Sequence, residues 1–134
     1  MDKTNAMRFL DRKKLAYRVH TVQGGAHSAA EVASLLSQPP ERIYKTLVTV
    51  GKSGGHYVFL LPAEAELDLK KAAAVVGEKS VAMLPQKELL PLTGYVHGGC
   101  SPLGMKKQLP TVVQQQAQAL ETIFFSAGRI GLQI

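Results

Sequence analysis

The sequence predicts an α+β fold, a single domain over residues 1–134 with a mixed sheet and flanking helices, on three observations. Segments with helix caps and a helical apolar stripe alternate with segments whose apolar residues recur at every second position. The strand-like segments are short, and glycine-rich turns join several of them closely enough for hairpins. With 134 residues, 46% of them hydrophobic, the chain has material for one core and is short for two. No linker or internal repeat interrupts it, and QQQ at 114–116 is its one hint of low complexity.

The elements follow in order. A first helix is expected over 5–14, capped by Thr4 or Asn5, with Arg12, Lys13 and Lys14 at the end where the helix dipole favours cations. Leu15, Tyr17 and Val19 then alternate with Arg18 and His20, which predicts a half-buried strand over 15–22. Gly24-Gly25 breaks the chain. Ser28 with Glu31 forms a capping box for a helix whose stripe is Val32, Leu35 and Leu36, and Pro39-Pro40 stops it. The strongest strand patterns lie at 43–50 and 56–61, with the turn GKSGG between them. Asp68 caps a helix running to about Val76 and closed by Gly77. A short strand over 81–84 precedes Pro85, read as the first position of a small helix through Leu90. After the irregular stretch HGGCSPLGMKK, strands are expected at 111–113 and 121–126. Ala127-Gly128-Arg129 would turn the latter into a last strand over 130–134.

Composition narrows the function. Sixteen Lys and Arg against ten Asp and Glu leave a formal charge of +6, which favours an anionic partner such as nucleic acid. No Trp and 6% aromatic residues argue against a broad base-stacking platform. A single cysteine, Cys100, excludes an internal disulfide and a four-cysteine zinc site. No apolar run reaches the eighteen or so residues of a membrane span, so no membrane partner is expected. The N-terminus lacks the apolar stretch of a secretory signal, which makes the cytoplasm the expected address.

Candidates for chemistry are few. His20, His27, His56 and His97 have no metal-ligand spacing and read as scattered surface or strand histidines, so no metal is expected. Cys100 reads as a packed small hydrophobe rather than a nucleophile. Ser101 lacks the GxSxG elbow and suits a backbone or hydroxyl contact better than attack. Two features stand out. Lys45 lies inside IYKTLVTV on the row of Ile43 and Leu47, where a charge is costly unless it reaches solvent or an anion. It is either an edge-strand lysine snorkelling outward or a lysine at the floor of a cleft. The second feature is residues 98–104, with three glycines and a proline, followed by Lys106 and Lys107. Such a loop is either structural or a place where backbone amides converge on a ligand oxygen.

These segments carry a resemblance. YKTLV (44–48), LDLKKAA (67–73), TGYVHGGCSPLGMKKQLPT (93–111) and IFFSAGRIGL (123–132) resemble the YbaK/EbsC family of trans-editing aminoacyl-tRNA deacylases, nearest its Cys-tRNA(Pro) deacylase branch. The stretches occupy roughly half the chain, in the family's order. The resemblance implies a mixed, mostly antiparallel, β-barrel-like sheet with flanking helices, shared with the editing insertion of bacterial prolyl-tRNA synthetases. It implies catalytic positions at Lys45, Gly99, Ser101 and Gly104, with substrate-binding positions at Thr46, Gly98, Pro102, Ser126, Gly128 and Gly131. Lys45 would fix the terminal adenosine or the ester, and the loop amides would face the ester carbonyl. No cofactor is implied.

The route implied for a cysteinyl ester is attack by the substrate's own thiol. The alternatives are a water-using Ala-tRNA(Pro) deacylase and a non-catalytic binder of tRNA acceptor ends, with Lys45, Lys70, Lys71, Lys106 and Lys107 on phosphates. Partners would be aminoacyl-tRNA and, for want of an anticodon-reading domain, prolyl-tRNA synthetase or an elongation factor complex. The sequence departs from the family at Gln133, commonly Asp, at Val22, often Tyr, and at Cys100, commonly aliphatic. Relatives usually continue past the position of Ile134 into another helix.

Overall fold

The computed structural model describes residues 2–22 and 29–134. Among these it holds four α-helices and seven strands: α1 (Asn5–Arg12), β1 (His20–Thr21), α2 (Ala29–Leu36), β2 (Tyr44–Gly51), β3 (His56–Pro62), α3 (Leu69–Val76), β4 (Val81–Met83), α4 (Gln86–Thr93), β5 (Thr111–Val113), β6 (Ser126–Arg129) and β7 (Leu132–Gln133). The strands form a four-stranded sheet, β4-β2-β3-β5, and a three-stranded sheet, β1-β7-β6. All pairings are antiparallel except β3 with β5. The expected α+β class with a mixed, mostly antiparallel sheet is observed, but the strands do not close into a barrel. A single bridge between Ile43 and Phe124 joins the two sheets.

Local chemistry sets most boundaries. The Thr4 hydroxyl accepts from the Met7 amide and caps α1, which stops at Arg12 because Lys14 takes a left-handed backbone, φ 57°. Asp68 accepts from the amides of Lys70 and Lys71, and Gly77 closes α3 at φ 74°, as its sequence position predicts. The β2–β3 hairpin runs in unbroken register from Tyr44↔Pro62 to Val50↔His56. The capping box of Ser28 with Glu31, the Gly24-Gly25 break and His27 lie on or against residues outside those described.

Three expectations shift. The strand expected over 15–22 is only His20–Thr21, because its partner β7 is two residues long. Residues 15–19 are instead held by the Leu15 amide on Leu10 and the Tyr17 hydroxyl on Asp11. Helix α4 starts one residue after Pro85, which occupies its N-cap, and passes through Pro91 to end at Gly94, φ 85°. Over 121–126, residues 121–123 are not strand, Phe124 makes an isolated bridge to Ile43, and regular pairing begins at Ser126, which opens β6 opposite Gln133. The turn into the last strand lies at Ile130-Gly131, because Gly128 sits in an irregularity within β6 while Gly131 supplies the turn's positive φ of 81°.

The apolar faces divide the core by layer. Helix α3 packs Ala72 and Ala73 on Phe59, Leu61 and Val81 of the larger sheet. The other face of that sheet, Val48 and Val58, packs on Cys100 and Met105 of the irregular loop and on Tyr95 and Leu109, which flank it. Helix α1 covers the smaller sheet through Met7 and Leu10 against Ala127, Leu132 and Ile134. Helix α2 contributes Val32 and Ala33 to a cluster with Val22 and Ile43 at the junction of the sheets.

Candidate functional site

The site is built on an interrupted strand edge. In an antiparallel pair, alternate residues turn their backbone groups to the partner and away from it. Ile43 accepts from the Ala63 amide on the β3 side, so Tyr44, Thr46 and Val48 present their backbone groups to the other side of β2. There the Tyr44 amide donates to Phe124 at 2.8 Å, and the Val48 carbonyl accepts from the Leu84 amide at 3.0 Å. Pairing with β4 begins only at Thr49. Thr46 therefore stands in a gap between two neighbours, its N–H and C=O without a backbone partner among the described residues.

A cavity of about 530 Å³ opens at this gap. Lys45, Thr46 and Leu47 form one side, Met83, Leu84 and Leu89 another, and His97, Gly98 and Cys100 a third, with Ser126 and Gln133 near the junction of the sheets. Among the described residues, three buried polar side-chain atoms lack a hydrogen-bond partner, and all three belong to residues that line it: Tyr44 Oη, Thr46 Oγ1 and Gln133 Oε1. An unmet buried polar group costs about 1–3 kcal/mol, so such a cluster favours a ligand that brings its own donors and acceptors. Burial raises the Tyr44 phenol above its usual range and keeps it a neutral donor. No Asp or Glu lines the cavity, and no carboxylate of a described residue pairs with Lys45. The chamber thus carries a cation and unpaired hydrogen-bonding groups, a setting for an oxygen-rich, partly anionic ligand.

Lys45, Thr46, Gly98 and Ser126 of the expected site residues line this cavity. Gly99, Ser101, Pro102, Gly104, Gly128 and Gly131 are not part of its lining. Gly99 donates its amide to Val96, and a Cβ there would meet the backbone of Arg129 and Ile130. Ser101 is fully buried, and its hydroxyl accepts from the Leu103 amide at 3.3 Å. Gly104, at φ 72°, lies so close to the Asn5 carbonyl on α1 that a Cβ would overlap it. Gly128 backs onto the Tyr95 ring and Gly131 onto the Val22 carbonyl. The Ser126 hydroxyl accepts from the Gly128 amide at 3.2 Å.

Cys100 borders the cavity, but burial pushes its thiol up to about 11, so it stays protonated near neutrality. Among the described residues no three of His, Cys, Asp and Glu converge to hold a metal ion, and no helix is long and apolar enough to cross a membrane. Tyr44 and His97 also line the cavity, and neither was among the site residues expected from sequence. Tyr44 was findable, since it shares the two-residue parity of Thr46 within YKTLV.

Comparison with known proteins gives a consistent set of relatives. Residues 23–133 match the profile described as the aminoacyl-tRNA editing domain. A protein of Enterococcus faecalis named for Cys-tRNA(Pro)/Cys-tRNA(Cys) deacylation, EbsC, is 47% identical over 98% of this chain and 82% of its own. A proline–tRNA ligase of Thermosipho africanus is 30% identical over 72% of this chain, which there corresponds to 17% of a much longer protein. A crystal structure assigned to a trans-editing enzyme for prolyl-tRNA synthetase superposes with a TM-score of 0.85 at 26% identity, covering 97% of this chain and 83% of that one.

Proposed function

Because the chain belongs to the aminoacyl-tRNA editing domain family, we propose that it is a trans-editing deacylase that clears mischarged Cys-tRNA(Pro). The observation that carries this reading is the cavity at the open edge of β2, lined by Lys45 and by residues with three buried polar atoms that have no partner among the described residues, and by no carboxylate. In the proposed mode the Lys45 ammonium holds the terminal nucleotide or the ester oxygen. The Thr46 backbone and the Gln133 amide oxygen take the α-amino group, and the Gly98 amide faces the ester carbonyl.

Such a site works by position and by stabilising charge as it develops. The cysteinyl thiol attacks its own ester carbon, a C–S bond forms, the C–O bond to the ribose breaks, and the thiol proton passes to the departing ribose oxygen. The protein's own Cys100, neutral and buried, takes no part. Gly99, Ser101, Pro102, Gly104, Gly128 and Gly131 serve in this reading by shaping the loop and turn that carry Gly98 and Ser126. We take residues 1–134 as one editing domain that works in the cytoplasm. Its partner there would be prolyl-tRNA synthetase or an elongation factor complex, a link supported by the synthetase relatives.

The test is single-turnover deacylation of Cys-tRNA(Pro), Ala-tRNA(Pro) and the S-methylcysteinyl ester. Loss of the cysteinyl ester at least 100-fold faster than of the methylated one is the expected result. Equal rates for those two would overturn thiol assistance, and preference for the alanyl ester would move the reaction to attack by water.

A further inference from the structure

A second, smaller groove lies away from this cavity, between α1 and the end of the irregular loop. Its volume is about 380 Å³, and Asn5, Phe9, Arg12, Gly104, Lys106 and Gln108 line it. Two further cations attach to its lining. Arg8 donates to the Asn5 side-chain oxygen at 3.1 Å, and the Lys13 ammonium stands 5.9 Å from the centre of the Phe9 ring. Arg8, Arg12, Lys13 and Lys106 are all exposed.

None of these four has a carboxylate partner among the described residues. The one acid on α1, Asp11, is already engaged by Lys3 at 2.5 Å and by the Tyr17 hydroxyl. The loop brings no acid either, since no Asp or Glu occurs between Glu88 and Glu121. Arg8 and Arg12 stand one helical turn apart on one face, a like-charge arrangement that disfavours the helix unless an anion lies alongside. Four uncompensated cations spread over more than one turn suit successive phosphates better than a single small anion.

The groove is also tied to the cavity. Gly98 lines the cavity and Gly104 lines the groove, so the chain between them bounds their separation at about 20 Å. The close seating of Gly104 on the Asn5 carbonyl fixes the loop against α1. Helix α1 lies outside the residues matched by the family profile, 23–133, so half of this groove is not part of the matched domain.

We propose that the groove between α1 and residues 104–108 seats the phosphate backbone of an RNA stem whose end enters the cavity. The proposal rests on the deacylase reading for the identity of that RNA, an acceptor stem. Its test does not depend on turnover. An uncharged acceptor-stem hairpin ending in single-stranded CCA is titrated by fluorescence anisotropy across a salt series. The proteins are the wild type, Arg12→Glu/Lys106→Glu, and Lys70→Glu/Lys71→Glu, which makes the same change in net charge on α3.

The expected result is at least a 30-fold loss for the groove pair, a salt slope shallower by about 2, and less than a threefold loss for the α3 pair. Arg12→Ala/Lys106→Ala guards against misfolding in the reversal variant and should lose at least fivefold. Equal weakening by the groove and α3 pairs, or none by either, would overturn the proposal. Binding of polyglutamate as tight as that of the hairpin, with the same sensitivity to the groove pair, would overturn the choice of RNA. A wild type that cleaves no aminoacyl ester would sink the deacylase reading instead, in a separate assay.

Discussion

Strand β2 carries two threonines three positions apart, and they belong to different worlds. Thr49 lies where β3 and β4 flank the strand on both sides. It is fully buried, and its hydroxyl donates to the Tyr57 carbonyl at 3.0 Å. Thr46 lies where the outer neighbour is missing, and its hydroxyl and backbone groups have no partner among the described residues at the cavity. The same side chain on the same strand is a structural bond in one half and an unmet one in the other. What separates them is strand pairing, because polar groups that the sheet satisfies are not free to bind a ligand.

The largest expected effect lies in the open half. Lys45→Ala should lower kcat/KM for aminoacyl-tRNA at least 100-fold, about 2.7 kcal/mol of transition-state stabilisation, while affinity for uncharged tRNA falls less than tenfold. Single-turnover rates beside filter binding read both. Equal losses in the two assays would make this half of the strand a binding surface and remove the contrast with Thr49 in its present form.

Cys100 sharpens the comparison because it touches both sides. It borders the cavity, yet its side chain packs with Val48, Val58 and Tyr95. Burial raises the thiol from 9.0 to about 11. The folded state therefore holds this proton more tightly than the unfolded chain does. The corresponding stability is whole below about pH 8.5 and is lost as pH climbs through 11. Urea unfolding from pH 8 to 11 should show the wild type losing about 2–3 kcal/mol more than Cys100→Ala. Tyr95, pushed up to about 12 mainly by burial and also by the charge of the Cys100 thiolate, adds to the loss in both proteins and slightly more in the wild type. Parallel curves would mean that the thiol is open to the cavity and belongs with Thr46.

How much of this was legible beforehand follows the same line. Caps and hairpins are local, so Asp68, Gly77 and the β2–β3 register could be read from neighbouring residues. Lys45 showed itself as a charge on an apolar row, and the family motif singled out Thr46 and Gly98. The gap beside Thr46 was not legible, because it is set by where β4 and Phe124 stop, and both pair across long stretches of sequence. Glycines in the 98–104 loop look alike in sequence, whether they approach a ligand or another backbone. Only packing shows that Gly104 sits against α1 while Gly98 faces the cavity. The alternation over 15–22 overstated β1 for a related reason, since a strand extends only as far as its partner.

In the closed half, Thr49→Val keeps the shape of the side chain and removes its bond to the Tyr57 carbonyl. The expected cost is about 1–2 kcal/mol, read as a lower urea midpoint at unchanged slope. Activity should follow the folded fraction and nothing more. A Thr49→Val protein as stable as the wild type would show that the buried hydroxyl is not what separates this half from the other.

The smallest stability effect belongs to the matching change at Thr46, and its smallness is the point. Thr46→Val exchanges a hydroxyl with no partner for a methyl of the same shape, so the desolvation cost of that hydroxyl disappears without the loss of any bond. Unfolding free energy should stay within about 0.5 kcal/mol of the wild type, or rise slightly. Deacylation should fall about five- to thirtyfold, the value of one hydrogen bond to bound substrate, near 1–2 kcal/mol. A protein destabilised as much as Thr49→Val would mean that the Thr46 hydroxyl is bonded within the fold, and the open edge would then lose one of its ligand-facing groups. A stable protein with full activity would leave the Thr46 backbone as the only polar contribution this residue makes to the cavity.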